Sequence, residues 1–168
     1  MARFDLFAPT LKKWEGGFVN HPNDPGGATN MGVTLNTYRA WFGKEKTVED
    51  LKHISDAEWI RIMKKGYWDK CGADYIENQS IAEIFADWVI NAGPAVIKKV
   101  QSIVGVNADG VVGPKTLIAI NHYPQKCLHC KIKDARREFY KKKAEDKSKA
   151  VFLTGWLNRT ESFNYADR

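Results

Sequence analysis

Helix start and stop signals punctuate almost the whole chain, and they restrict it to a fold of short helices. Phe4, Phe7, Leu11 and Trp14 recur at helical spacing, and Gly16–Gly17 ends that run. Pro9 is expected to open this helix or to sit in its first turn. Thr34 is a candidate cap for a helix over Leu35–Phe42 that stops at Gly43. Ser55 with Glu58, and Ser80 with Glu83, have the spacing of capping boxes and predict two further helix starts. Pro94 after Gly93 suits the first position of a helix running to Gly105, and Gly113–Pro114 starts another that carries Leu117, Ile118 and Ile120. Pro124 precedes a long basic amphipathic segment through about Lys149, and a last helix carries Val151, Phe152, Trp156 and Leu157.

One stretch breaks this pattern. Between Phe18–Val19 and Met31–Val33 lie eleven residues, NHPNDPGGATN, of which eight are Asn, Asp, Pro or Gly. Such a composition predicts a long loop between two short extended pieces, a small hairpin inside an otherwise helical chain. Loops of this length in compact domains are commonly functional.

With 168 residues the chain suits one domain or two small halves, and it can bury about 70% of its unfolded surface without a disulfide or metal staple. No stretch approaches the about 20 apolar residues of a membrane span, and the uncharged run Trp88–Ile97 is interrupted by Asn91, Gly93 and Pro94. The first residues lack the apolar run of a secretory signal, so synthesis in the cytoplasm is expected, with reduced thiols at Cys71, Cys127 and Cys130. The C-x-x-C at Cys127–Cys130 has no second ligand pair, and the four histidines lack metal-ligand spacing, so no metal site is expected. A weak change of composition near Gly93 separates a mixed-charge half from a basic one. Residues 1–84 carry a net charge of −1 and residues 85–168 one of +7, with nine Lys/Arg against four Asp/Glu in 131–149. A face of that kind suits an anionic partner such as a cell wall, although a solvated helix surface produces the same pattern.

The segment from Trp14 to Thr34 carries the chemistry. Glu15 ends a helix, where the negative end of the helix dipole disfavours its ionisation, and Trp14 and Phe18 flank it in sequence. Asp24 follows nine residues later in a polar loop, where ionisation is easier. Two carboxyl groups in contrasting surroundings are what glycoside hydrolysis requires. Thr29 and Asn30 add short polar side chains suited to hold a water or a sugar hydroxyl.

Glu15-Gly16-Gly17-Phe18, then Asp24-Pro25-Gly26-Gly27-Ala28-Thr29-Asn30-Met31-Gly32-Val33-Thr34, resembles the hallmark of glycoside hydrolase family 108, the bacterial and phage N-acetylmuramidases. Phe18 stands where that family commonly has Tyr. Val100–Asn121, with its Asp109-Gly110-Val111-Val112-Gly113-Pro114-Lys115-Thr116 core, is similar to the helical peptidoglycan-binding module that accompanies the family, and Gly155-Trp156-Leu157-Asn158-Arg159 is similar to its usual tail. The resemblance implies an all-α, lysozyme-like fold with a small hairpin beside the cleft. It implies a catalytic region over 1–92 and a peptidoglycan-binding region over 93–168, packed into one unit.

By the same resemblance Glu15 is the catalytic acid. Phage-type lysozymes share a Glu, an Asp nine residues later and then a Thr, which points to Asp24 and Thr29 and leaves Thr29 and Asn30 as alternatives for orienting water. Tyr67–Trp68 and the run from Asp87 through Asn91 to Gly93 also fall on family patterns. They nominate Tyr67, Trp68 and Asn91, with Asn30, as substrate contacts, core packing being the alternative for each. The implied activity is cleavage of the β-1,4 bond between N-acetylmuramic acid and N-acetylglucosamine, with no metal or organic cofactor. The rivals are a lytic transglycosylase, a non-catalytic wall-binding or secretion-assisting protein, and a nucleic-acid binder using 131–149, for which no motif is present. Neither nucleic acid nor stable membrane insertion is expected. Action in the periplasm or wall then calls for a holin or an export partner.

Overall fold

A computed structural model describes residues 1–20 and 27–167. It is mostly helical, with one two-stranded antiparallel sheet, as expected of a lysozyme-like fold. The chain divides into two compact units, Asp5–Gly66 and a larger one of Met1–Phe4 with Tyr67–Arg168.

In the smaller unit, α1 (Phe4–Glu15) is followed by the hairpin β1 (Thr29–Asn30) and β2 (Val33–Thr34), then α2 (Leu35–Phe42), α3 (Val48–Lys52) and α4 (Asp56–Met63). Pro9 lies inside α1, deeper than its expected place in the first turn, and removes one intrahelical hydrogen bond there. The Thr34 hydroxyl accepts the Thr37 N–H, and Gly43 ends α2 at φ 121°. Ser55 and Glu58 form the reciprocal capping box at the start of α4. A second box, Thr47 with Asp50, starts α3, an element for which the sequence had given no prediction. Leu11, Tyr38, Leu51, Trp59, Ile62 and Met63 are buried in this unit's core. The Tyr38 hydroxyl donates to Glu58 Oε1 at 3.0 Å, which ties α2 to α4. Burial, and then the Glu58 carboxylate, push the Tyr38 phenol up to about 12. The Ser55 N–H, above all, holds Glu58 below the ordinary carboxylate value.

The larger unit opens with a π-helical turn (Lys64–Trp68) running into it and two 3₁₀ turns (Asp69–Cys71, Ala73–Tyr75). It continues with α5 (Gln79–Ala92), a 3₁₀ turn at Pro94–Val96, α6 (Ile97–Val104), α7 (Pro114–His122), α8 (Gln125–Lys143) and α9 (Leu153–Ser162). The start of α5 differs from expectation. Asn78 is its cap, accepting the Ile81 N–H, because its amide reaches the free N–H groups two residues before Ser80. The Ser80 hydroxyl instead holds the C-terminal segment, accepting the Ala166 N–H at 3.0 Å. α8 stops at Lys143 rather than near Lys149, and Val151 and Phe152 precede α9 as exposed residues of a 3₁₀ turn.

α5 packs on α8, and α8 on α9. A fully buried carboxylate, Asp87, joins all three: Arg136 Nη2 donates to it at 2.9 Å and Arg159 Nη2 at 2.7 Å. Buried charges are tolerated only in such paired arrangements. This cluster fixes α5 to the C-terminal helices, so the compact units part at Gly66–Tyr67, before α5.

Candidate active site

α1 ends at Glu15 because Gly16, at φ 71°, turns the backbone out of the helix while its N–H still bonds Lys12 O at 3.3 Å. Two residues after Gly17, Val19 pairs with Thr29, each N–H donating to the other's carbonyl at 2.8 Å. The chain therefore enters β1 beside the strand-like piece that follows Glu15. Sequence reasoning had paired that piece with Met31–Val33, but Met31 belongs to the turn. Thr29 faces Thr34 and Asn30 faces Val33, so the hairpin closes on the two residues Met31 and Gly32, at φ 46° and 76°. Positive φ at both central positions is the hairpin turn whose twist matches the strands.

The two-residue turn decides which side chains face inward. Asn30 and Val33 are buried, whereas Thr29 and Thr34, on the opposite face, are half-buried. The Asn30 amide N–H group donates to Leu51 O at 3.0 Å and Lys52 O at 3.1 Å, anchoring the hairpin to the end of α3. Asn30 is thus a structural anchor, not an exposed sugar contact. The Thr34 hydroxyl is occupied in capping α2, which leaves Thr29 as the outward threonine of β1. The buried Trp59 indole N–H donates to Met31 O at 2.9 Å and fixes the turn itself to α4.

That fixed turn meets Glu15. A Cβ atom placed on Gly32 would stand 2.2 Å from Glu15 Oε2 and 2.8 Å from its Cδ. No side chain fits at position 32 while the carboxyl group stays where it is. Glu15 and Gly32, with sixteen residues of chain between them, thus meet at one carboxyl group, Glu15 half-buried at a helix end and the hairpin turn against it. Asp24, the expected second carboxylate, lies outside the described residues.

The remaining nominated residues belong to the larger unit. Trp68 is fully buried and donates its indole N–H to Asp74 Oδ1 at 2.6 Å, while Phe4 meets its ring edge-on. Its ring has no face left for a sugar. Tyr67 is half-buried, as is Asn91, whose Oδ1 accepts the Tyr140 hydroxyl. Asp87, in the same pattern, is the buried clamp of α8 and α9, and Arg159 of the Gly155–Arg159 run is one of its partners.

Gly32 and Trp59 are the site residues that sequence reasoning missed. Gly32 lay within the quoted motif but had no role there, and Trp59 reads as an ordinary core aromatic. Among the described residues no three His, Cys, Asp or Glu side chains are grouped to hold a metal ion. Burial pushes the Cys71 thiol far above its ordinary value, and Cys127 and Cys130 are exposed on the first turns of α8.

Comparison with known proteins places this geometry. The family model for glycosyl hydrolase 108 matches residues 8–93, which include Glu15 and the whole hairpin. The chain belongs to glycosyl hydrolase family 108. A second model, for a predicted peptidoglycan domain, matches residues 95–161. The structure of SagA from Brucella abortus is 32% identical in sequence and superposes with a TM-score of 0.76, over 98% of this chain and 97% of that one. No curated protein matches the chain. This family 108 member is therefore a glycoside hydrolase, and its second domain marks peptidoglycan as its substrate or partner.

Proposed function

We propose that this protein is an N-acetylmuramidase, hydrolysing the β-1,4 bond from N-acetylmuramic acid to N-acetylglucosamine. The observation that carries the reading is the convergence of Glu15 and the Met31–Gly32 turn. The turn is fixed from behind by Trp59 and Asn30, so the carboxyl group it meets is held on a rigid support.

In this mechanism Glu15 gives its proton to the glycosidic oxygen as the bond to the muramic acid anomeric carbon breaks. Asp24 stabilises the positive charge that develops on the sugar ring or takes the proton of the attacking water. Water supplies the new hydroxyl on the anomeric carbon, and Thr29, the outward threonine of β1, positions it. Tyr67 and Asn91 remain candidate substrate contacts, Asn91 through its amide N–H group. We assign passage to the wall to a holin or an export partner.

Mass spectrometry of purified glycan strands after incubation with the protein tests this function. The expected product is a strand ending in reducing muramic acid. A 1,6-anhydro end would make the protein a lytic transglycosylase, a reducing glucosamine end would make it a glucosaminidase, and unchanged strands would leave it a wall-binding protein.

A further inference from the structure

The turn between α8 and α9 leaves two apolar side chains outside the core of the larger unit. Val151 is 78% exposed and Phe152 55%, side by side in the 3₁₀ turn Ala150–Phe152. The backbone holds them there. The Lys149 N–H donates to Asp146 O at 2.8 Å, and the Phe152 N–H to Lys149 O at 3.0 Å. The Phe152 ring leans on Trp156 with centroids 5.8 Å apart, and Trp156 stacks on the buried Tyr140 ring at 5.1 Å.

Cations surround this turn. Lys143 Nζ lies 5.1 Å from the centre of the Trp156 ring and 5.9 Å from that of Phe139. Phe139 lines a groove of about 430 Å³ between α6 and α8, whose walls also carry Lys99, Lys142 and Glu138. The fully buried Trp88 of α5 meets the Phe139 ring edge-on. Lys143 therefore joins the groove and the Phe152 turn into one surface. Two of its acids are already used: Glu138 pairs with Lys141 at 3.2 Å and Asp146 with Lys149 at 3.1 Å. Glu145 is left against Lys99, Lys142, Lys143 and Lys147, none of which has an ion pair among the described residues.

We propose that this surface docks on an anionic lipid bilayer, with Val151 and Phe152 entering the headgroup layer and the lysines meeting lipid phosphates. Charge complementarity selects this partner. Anionic lipid offers the negative surface that the lysines need and, directly beneath it, the apolar region that Val151 and Phe152 need. An anionic polysaccharide supplies only the first. A second copy of the chain sets like charges against each other. The groove offers a lipid phosphate two cations from facing helices, Lys99 of α6 and Lys142 of α8, above the apolar Phe139. The contact is interfacial: two side chains enter the bilayer and the helices stay outside it. The inference draws nothing from the chemistry at Glu15.

The test is sedimentation of the full chain with vesicles of phosphatidylglycerol in phosphatidylcholine, and of phosphatidylcholine alone. Binding is expected to the anionic vesicles only, and to weaken as salt is added. Lys99→Ala with Lys142→Ala should lower the affinity about 25-fold, about fivefold for each lysine at the lipid surface. Phe152→Ser should lower it about tenfold through the lost burial of one ring. Lys115→Ala with Lys126→Ala removes the same charge from α7 and from the start of α8, about 24 Å along that helix from Lys142, and should change it less than about twofold. Phe152 touches Trp156, so if Phe152→Ser melts at a lower temperature, Val151→Ser replaces it, with a loss of about threefold. No binding to anionic vesicles, equal binding to both kinds, or equal losses in the two lysine pairs would overturn the proposal. So would affinity indifferent to the apolar variants, which is adsorption by charge alone, or a dimer in sedimentation equilibrium that Phe152→Ser dissolves, which gives the surface to a second copy. Hydrolysis of short soluble glycans is read separately: its absence refutes the muramidase reading and leaves vesicle binding as measured.

Discussion

Gly32→Ala probes the contact on which the active-site reading rests. Two separable effects follow from the structure. The backbone at φ 76° is one that Ala adopts at a cost of about 1–2 kcal/mol. The new methyl would also lie 2.2 Å from Glu15 Oε2, while ordinary contact begins near 3.5 Å, so the carboxyl group must move by about 1 Å. Glu15 ends a flexible side chain, so it yields at small expense in stability. A misplacement of about 1 Å in a catalytic group, however, reduces rate by about 10²-fold. Gly105→Ala is the matched control, because Gly105 ends α6 at φ 77° with no atom within 4 Å of its would-be Cβ. Denaturant melts should show both variants destabilised by about 1–2 kcal/mol. Release of reducing ends from purified walls should fall about 10²-fold in Gly32→Ala alone. Equal activity in the two variants would refute the argument that the hairpin turn positions Glu15.

Asp87→Ala leaves Arg136 and Arg159 buried without their carboxylate, and should cost about 3–5 kcal/mol in a denaturant melt, enough to unfold much of the larger unit. His129 is buried in α8 and its Nε2 has no hydrogen-bond partner among the described residues; burial, with help from Lys133, lowers its pKa from 6.5 to about 4. It favours the fold fully above pH 6.5, and this contribution is lost as the pH falls toward 4, because the unfolded chain takes up a proton that the folded one refuses. Melts should show about 1–2 kcal/mol of acid sensitivity by pH 5 that His129→Leu removes. Reversing Lys141, Lys142 and Lys143 to Glu should weaken sedimentation with intact walls at low salt to the level seen at high salt, while hydrolysis of short soluble glycans changes little.

Features governed by neighbours in the chain were legible before the structure. Thr34, Ser55 and Gly43 cap their helices as expected because each bond spans three or four residues. Local chemistry also misled where two candidates competed, as when Asn78 reached the α5 N–H groups ahead of Ser80. The Glu15 motif was legible, but which face Thr29 and Asn30 present was not. That choice depends on a two-residue turn at Met31–Gly32, and Met-Gly lacks the Asn-Gly signature of such turns. Trp59 and Asp87 were illegible for a different reason. Their partners lie 28, 49 and 72 positions away, beyond any local pattern. The basic run 131–149 read as a binding face, yet several of its cations serve the fold. Arg136 is buried on Asp87, Arg137 pairs with Glu161, and Lys133 donates to Phe163 O at 2.8 Å.

The central claim is that Glu15 supplies the proton that breaks the glycosidic bond. Glu15→Gln keeps the size of the side chain and its place against Gly32, and removes only that proton. The most direct measurement is the rate of reducing-end release from purified peptidoglycan by Glu15→Gln, set beside its melting temperature. The account predicts a melting temperature near that of the unmutated protein and a rate lower by about 10²–10⁴-fold. A variant that melts normally and keeps more than half the activity would contradict it.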